Sequence, residues 1–436
     1  MHTPRRAADP LNMRSDTGTT VQLDERAYRT KLDGGPIVLS EEVPGVRSVA
    51  AGVWFRWGAS HDSPEHLGAS HLLEHMTFKG TERRSAREIA LEIEGIGGTL
   101  DAYTSREHTA CYARVLDEYL PIAIDVLTDL GFRPLLRDSD LEVERNVILE
   151  EIAGVEDTPE ELVFDLHARA LWGDHPYGSP VLGTLETVRA MTRDDLVDLW
   201  RTAYRPSIAV VAAAGKLHHD ELLELVVRYF PDSEEELAPP VVPDPAPVPP
   251  REQWHPRGSA QVHVCLGAPT FARGDPRRYA AILISTALGG GMSSRLFQRV
   301  REELGLAYTV YSFQSFYVRG GLSGIYMATR SDVADRAVDE VRSELGQLAG
   351  IGLAPEELRA VKSQTKGQVV LSLESTSARL QRLAGVALYD EPYLTLDEVC
   401  SRIDAVTMAE VAELCHQYYA PEQQVIVRLG PEGPRG

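Results

Sequence analysis

The chain has 436 residues and a mass of 48.1 kDa, which is too long for one hydrophobic core and suggests two or more domains. Its apolar stretches are all shorter than the ~20 residues that a membrane helix needs, so the sequence excludes a transmembrane protein. A formal charge of −21 argues against nucleic acid and anionic lipid as partners.

The start of the chain and its cysteines bear on its location. Residues 1–20 contain no apolar segment of the kind found in secretory signals, so we expect a disordered leader and a cytoplasmic location. The four cysteines lie far apart without CxxC spacing. This pattern predicts reduced thiols rather than a disulfide framework or a cysteine metal site.

The first half of the chain predicts three strands, two helices, a strand pair and two more helices. The strands are predicted at 28–32, 36–40, 49–57, 99–105 and 108–115. The helices are predicted near His66, from the Ser85–Glu88 capping box to Gly97–Gly98, and near 119–130 and 138–155.

A proline-rich segment at 231–250 follows near the middle of the chain. Proline removes backbone donors and favours extended geometry, which predicts a semi-rigid linker, placed at 231–255.

The second half predicts the same order of elements. Strands are predicted at 260–267, 309–316 and 321–328, with helices near 275–288 and 293–304.

The two halves also share a signature 215 positions apart. Thr192 and Thr407 each open a Thr-x-x-acid capping box, followed by an amphipathic helix, a proline and an apolar strand. We therefore predict two homologous α+β domains, at 21–230 and 256–436. Each should contain a mixed, mainly antiparallel sheet with helices packed on one face.

The motif richest in potential chemistry is His71-Leu-Leu-Glu74-His75. Residues four apart lie on one face of a helix, so the two imidazoles can bind one metal, with Glu74 beside a metal-bound water. This is the H-x-x-E-H arrangement of zinc peptidases. The alternative is a helix whose histidines are ordinary core or surface residues.

A catalytic zinc normally has a third protein ligand, and the helix predicted near 138–155 offers Glu144, Glu150 and Glu151 among its glutamates. Its apolar arc, set by Leu141, Val147, Ile148, Ile152 and Val155, includes Glu144 and Glu151 but not Glu150. Glu151 is therefore the candidate ligand, Glu144 a candidate partner of a ligand imidazole, and Glu150 a solvent residue. Ordinary ion pairs of Glu144 and Glu151 with arginines are the alternative.

Three segments together resemble the pitrilysin family of zinc peptidases, which includes insulin-degrading enzyme and the mitochondrial processing peptidases. They are HLLEHMTFKGT at 71–81, GGTLDAYTSREHTACY at 97–112 and ERNVILEE at 144–151. The resemblance implies one Zn²⁺ per chain, held by His71, His75 and Glu151, with Glu74 as general base and Glu144 behind a ligand.

The same resemblance implies that the strand containing Asp101, Ala102 and Thr104 binds the substrate backbone. Many family members have asparagine at the position of Asp101, so the substrate preference of this chain can differ from theirs.

The second half has no zinc motif but contains GGGMSSRLFQRVREELGLAYTVYS. No G-K-[ST] follows its glycines, so a phosphate loop is not indicated. The resemblance implies that Arg301 and Tyr308 contact the substrate carbonyl, where a tyrosine hydroxyl can stabilise an oxyanion. The alternative is a solvated arginine and a core tyrosine.

We therefore predict a zinc metalloendopeptidase that hydrolyses extended peptides or unfolded segments. The alternatives are a specific processing peptidase for leader or targeting peptides, and a non-catalytic scaffold or partner subunit. The resemblance further implies a homodimer, because single-chain members carry four such domains and this chain carries two.

Overall fold

The computed structural model describes residues 13–15, 18–232, 238–246 and 248–431. Residues 1–12, 16 and 17 of the predicted leader and 233–237 and 247 of the predicted linker lie outside the described residues. Within the leader range, 13–15 and 18–20 form strands where the sequence predicted no element. None of the described helices combines the length and apolarity that crossing a bilayer requires.

The described strands and helices include the predicted ones in their predicted order, and a further strand at Glu252–Pro256 lies mostly within the predicted linker at 231–255. The strands are β1 (Met13–Ser15), β2 (Gly18–Asp24), β3 (Ala27–Leu32), β4 (Ile37–Glu42), β5 (Ser48–Phe55), β6 (Thr99–Thr104), β7 (Thr109–Leu116), β8 (Ala209–Gly215), β9 (Glu252–Pro256), β10 (Val262–Thr270), β11 (Ala307–Phe316), β12 (Gly321–Thr329) and β13 (Val425–Gly430). The α-helices are α1 (Ala69–Thr77), α2 (Ala86–Glu94), α3 (Leu120–Phe132), α4 (Asp138–Asp157), α5 (Pro159–Trp172), α6 (Leu185–Ala190), α7 (Arg193–Ala203), α8 (His219–Tyr229), α9 (Arg278–Gly289), α10 (Ala334–Ile351), α11 (Pro355–Ser372), α12 (Thr376–Leu388), α13 (Leu396–Ala405) and α14 (Met408–Tyr418). A π-helix covers Phe297–Glu303, within the helix predicted near 293–304.

The first compact unit is built on a sheet of eight strands in the order β1-β2-β3-β4-β8-β5-β7-β6. Only the β4–β8 pair is parallel, so this sheet is mixed and mainly antiparallel, as predicted. Helices α3 and α8 pack on one face, against β5, β7 and β4. Strand β6 lies at the edge of the sheet, where its outer side carries no described strand.

The opposite face of this sheet is covered by α12, which comes from the far end of the chain. Leu380 and Leu383 pack in one buried cluster with Leu39, Trp54 and Ala212 of the sheet.

Polar contacts also attach α12 to the first sheet. Arg379 pairs with the buried Glu41, and the Tyr103 hydroxyl donates to Gln381 Oε1 at 3.1 Å. Tyr103 lies on β6, so α12 also supports the edge strand.

The second compact unit has five strands in the order β11-β12-β10-β13-β9, of which only β13–β9 is parallel. Helices α9, α10 and α14 line one face, with Val264, Ile284 and Leu414 in their shared core. The other face is covered by α5, whose Val163 and Leu171 pack with Cys265 and Val427.

These assignments confirm the α+β fold and add one helix to the second face of each sheet. They also make the compact units discontinuous, because 148–185 groups with the second sheet and 372–395 with the first. The sequence predicted contiguous domains instead. The boundary at 147–148 falls inside the continuous helix α4, whose first part groups with the first unit and whose last part groups with the second.

The repeated capping signature is present in both units. Thr192 accepts a hydrogen bond from the backbone N–H of Asp195, and Thr407 accepts one from Glu410. Each capped helix, α7 or α14, leads into a fully buried strand of its own sheet, β8 or β13. The two runs that revealed the repeat thus form equivalent structures.

A buried histidine links strands β3 and β4 of the first sheet to α8. His219 is 8% exposed, and its two ring nitrogens lie 2.7 Å from Thr30 Oγ1 and 2.8 Å from Ser40 Oγ. Burial lowers the pKa of His219 to about 4, because the charged imidazolium would lose its hydration. The folded protein therefore holds this side chain neutral at pH 7.

Acidification should destabilise the protein through His219. Its pKa falls from 6.5 to about 4 on folding, so its contribution to stability is complete above pH 6.5 and is lost as the pH drops toward 4. By pH 5 the loss is about 2 kcal/mol. Urea titrations across this range should show a smaller pH dependence for His219→Gln than for wild type. His218→Gln, at the exposed neighbour, is the matched control, and identical pH dependence in all three proteins would contradict the expectation.

Candidate active site

Helix α1 holds the predicted motif and is anchored at its start by a carboxylate outside the helix. Asp62 accepts hydrogen bonds from the backbone N–H groups of Gly68 and Ser70 and from the Ser70 hydroxyl. Gly68 has φ = 90°, a conformation that favours glycine. Burial raises the pKa of Asp62 to about 6, while these hydrogen bonds act in the opposite direction.

The structure brings His71, His75 and Glu151 together. One candidate ligand atom from each residue lies within 4.8 Å of the other two. The two imidazole rings meet edge to face with centroids 4.6 Å apart. Burial, and secondarily the neighbouring His75, lower the pKa of His71 to about 4, so this imidazole is neutral at pH 7, as a metal ligand must be.

The candidate glutamates of α4 differ in their exposure to solvent. Glu144 is 2% exposed, Glu151 is half-buried and Glu150 is exposed. Glu150 therefore points to solvent, as the helical pattern predicts. Val147, which the sequence placed in the apolar arc, is 39% exposed, so the buried arc of the helix is narrower than predicted.

Glu144 contacts two residues of the motif segment. Its Oε2 lies 3.1 Å from Nδ1 of His75, and its Oε1 lies 2.7 Å from Nζ of Lys79. In a neutral imidazole whose Nδ1–H donates to Glu144, the lone pair belongs to Nε2. Glu144 thus selects the nitrogen that His75 can offer to a metal.

Glu74 lies on the buried side of α1 and is 8% exposed. The hydroxyl of Thr104, the last residue of β6, donates to Glu74 Oε2 at 2.6 Å. A carboxylate that is withdrawn from water and held by a hydroxyl has a defined orientation. Such an orientation is what a general base requires.

The predicted substrate strand is the edge strand β6. Asp101 is exposed, and its carboxylate accepts from the Ala102 N–H at 2.8 Å and from the Tyr112 hydroxyl at 3.1 Å. Because β6 pairs with β7 on one side only, its outer backbone groups can pair with an extended peptide.

Arg301 and Tyr308 belong to the second unit and lie close to each other. The Arg301 guanidinium is 4.6 Å from the centroid of the Tyr308 ring and 4.5 Å from that of Phe297. Gly305, with φ = 60°, separates the π-helix from β11.

Tyr308 occupies a β-bulge on β11. Ala307 pairs with Thr329 and Thr309 with Ala328, so Tyr308 is the extra residue between them. Its side chain is 75% exposed. The strand-core alternative for Tyr308 is therefore wrong.

Lys79 and Asp62 are two residues at this site that the sequence analysis did not identify. Lys79 lies four positions after His75, a spacing that places it beside the partner of His75. That spacing was the available signal. Asp62 lies eight residues before Ser70 in a non-helical segment, and no periodic pattern connects the two.

Comparisons with known proteins identify the family of the chain. The family model for Insulinase (Peptidase family M16) matches residues 37–185, and that for the Peptidase M16 inactive domain matches residues 190–365. The chain belongs to peptidase family M16. It is accordingly a metalloprotease, a hydrolase of peptide bonds, and the resemblance to the pitrilysin family is confirmed.

Proteins similar to this M16 peptidase occur in several bacteria. An uncharacterized zinc protease of Streptomyces coelicolor is 41% identical over 92% of this chain and 89% of its own length. The uncharacterized zinc protease YmxG of Bacillus subtilis is 38% identical, over 93% and 98% of the two chains.

Solved structures share the fold. A peptidase M16 inactive domain from Pseudomonas fluorescens superposes with a TM-score of 0.86 at 22% identity, over 93% of this chain and 98% of that one. A protease from Helicobacter pylori gives 0.85 at 20% identity, over 93% and 99%.

Zinc affinity should distinguish Glu144, Glu150 and Glu151 of α4. Glu151→Gln should lose zinc strongly, because it removes the charge of the candidate ligand. Glu144→Gln should weaken zinc binding roughly 10–100-fold, because it disturbs the orientation of His75 without removing a candidate ligand. Glu150→Gln is the matched control and should bind as wild type does. Competition with a chromophoric chelator measures all three, and a sensitive position at Glu150 would contradict the assignment of helix faces.

Proposed function

We propose that the protein is a zinc endopeptidase that hydrolyses extended peptides or unfolded segments, with one zinc per chain. The observation that carries the proposal is the cluster of His71, His75 and Glu151 beside the buried Glu74. Two imidazole nitrogens and one carboxylate are a common ligand set for a catalytic zinc that keeps one position for water. A non-catalytic scaffold has no need for this arrangement.

Different residues of the chain perform different parts of the reaction. When bound, zinc acidifies a water molecule and polarises the carbonyl of the peptide bond. Glu74 accepts a proton from the attacking water and returns it to the leaving amine. Glu144 keeps His75 in the tautomer that binds metal.

Substrate binding is assigned to the edge strand β6. A peptide that adds as a further strand beside Asp101, Ala102 and Thr104 gains backbone hydrogen bonds that depend little on its sequence. Broad specificity follows, with side-chain contacts secondary. Tyr308 and Arg301 contact the substrate carbonyl, and the Tyr308 hydroxyl stabilises the developing oxyanion. A cytoplasmic location stays a prediction from the sequence.

Glu74→Gln should abolish peptide cleavage while zinc stays bound. The substitution preserves size and removes the group that accepts the proton. His71→Ala and His75→Ala should instead lose both zinc and activity. Elemental analysis together with mass-spectrometric mapping of cleavage sites in a mixed peptide library measures both properties. Full activity in Glu74→Gln, or undiminished zinc in both histidine variants, would refute the assignment.

We further infer that the working unit is a homodimer in which the zinc cluster of one chain is completed by Arg301 and Tyr308 of the other. Family resemblance supports this inference, since members active as single chains carry four such domains and this chain carries two. Tyr308 is 75% exposed, so a second chain can reach its side chain. Two copies related by a two-fold axis would contain two equivalent sites.

Mixing inactive chains tests the homodimer. Glu74→Gln chains and Tyr308→Phe chains are combined under conditions that exchange subunits. If the site forms between chains, each mixed dimer has one site with both lesions and one with neither, so about a quarter of wild-type activity should return.

Each variant is also exchanged with itself as the control. Confirmed exchange without recovered activity would exclude the site between chains, provided that each single variant is inactive.

A further inference from the structure

Thr104 lies where the edge strand β6 meets helix α1. Its hydroxyl oxygen is 2.6 Å from Glu74 Oε2 and 3.5 Å from the backbone oxygen of Ser70, which precedes His71. A hydroxyl has one proton to donate, and the much shorter distance assigns it to the carboxylate. The bond is therefore charge-assisted, in the class of short and strong hydrogen bonds.

The surroundings of Thr104 fix its hydroxyl. Thr104 pairs across the sheet with Thr109, whose hydroxyl lies 3.4 Å from that of Thr104 and donates to the Trp57 backbone oxygen at 3.0 Å. Thr109 is 1% exposed, so packed neighbours surround the residue that lies beside Thr104. Threonine is also stiff about χ1, because two heavy atoms branch from its Cβ.

We propose that Thr104 is a positioning residue for Glu74, whose hydroxyl acts on the peptidase reaction through the carboxylate, while its backbone stays part of the strand that receives the peptide. This inference deepens the proposed function and rests on it. With one oxygen held by Thr104, the Glu74 carboxylate cannot rotate away from the attacking water. Thr104 belongs to the strand proposed to receive the peptide, so the base and the peptide backbone are aligned by a single element.

This role of the hydroxyl is separate from the backbone contact that family resemblance implies for the strand containing Thr104. A hydroxyl that binds the peptide equally in the ground state and the transition state changes KM when it is removed. A hydroxyl that aligns the base changes kcat, because misalignment affects only the chemical step. The two roles are therefore distinguished by steady-state kinetics.

The test compares Thr104→Val, Thr104→Ser and wild type on one peptide substrate. Valine has the shape of threonine without the hydroxyl, and kcat should fall about 10- to 100-fold with KM changed less than about 2-fold. Serine retains the hydroxyl and should stay within about 3-fold of wild-type kcat. Zinc affinity should be unchanged in both variants, which shows that the metal cluster is intact.

Thr19→Val is the matched control, because it makes the same substitution at an exposed strand position on β2, outside the strand that receives the peptide. If Thr104→Val does not fold, Thr104→Ala, which adds no methyl group beside the carboxylate, is measured in its place.

Wild-type kcat in the valine variant, a raised KM with unchanged kcat, or equal losses in the valine and serine variants would overturn the proposal. Its failure is distinguishable from failure of the proposed function. In the first case Glu74→Gln is still inactive while Thr104→Val cleaves normally; in the second the wild-type protein cleaves no peptide.

Discussion

The site depends on a carboxylate that is buried between two positive or proton-donating partners. Glu144 is almost completely removed from water, and burying an isolated carboxylate costs several kcal/mol. Lys79 and His75 compensate this cost, and both belong to the segment that forms and follows α1. Because Glu144 lies on α4, its contacts connect the helix with the histidines to the helix with Glu151. Glu151 follows Glu144 by seven positions, nearly two helical turns, so both side chains lie on the same side of α4.

Much of this arrangement could be predicted from the sequence because its causes are local. Capping boxes at Thr192 and Thr407 depend on residues three apart, and strand patterns depend on alternation within a few positions. The H-x-x-E-H motif needs only helical periodicity to place two histidines on one face.

The features that could not be predicted arise from contacts between segments far apart in the chain. Both α5 and α12 carry an apolar face, but an amphipathic pattern does not specify which sheet it covers. Val147 lies in the apolar arc by periodicity and is exposed in the structure, because the neighbours of α4 cover only part of that arc. The bond from Thr104 to Glu74 spans 30 residues, and the bulge at Tyr308 depends on pairing with β12.

The late position of α12 in the chain affects how the protein folds during synthesis. The ribosome completes β1 to β8 long before residues 376–388 emerge, so the nascent first sheet has an uncovered apolar face that includes Leu39, Trp54 and Ala212. Domains that are contiguous in sequence fold in order as they are made. One face of this sheet, in contrast, is covered only after nearly the entire chain has been made. Exposed apolar surface in such an intermediate promotes aggregation. The first sheet therefore reaches its fully covered form only after residues 376–388 have been made, when translation is almost complete.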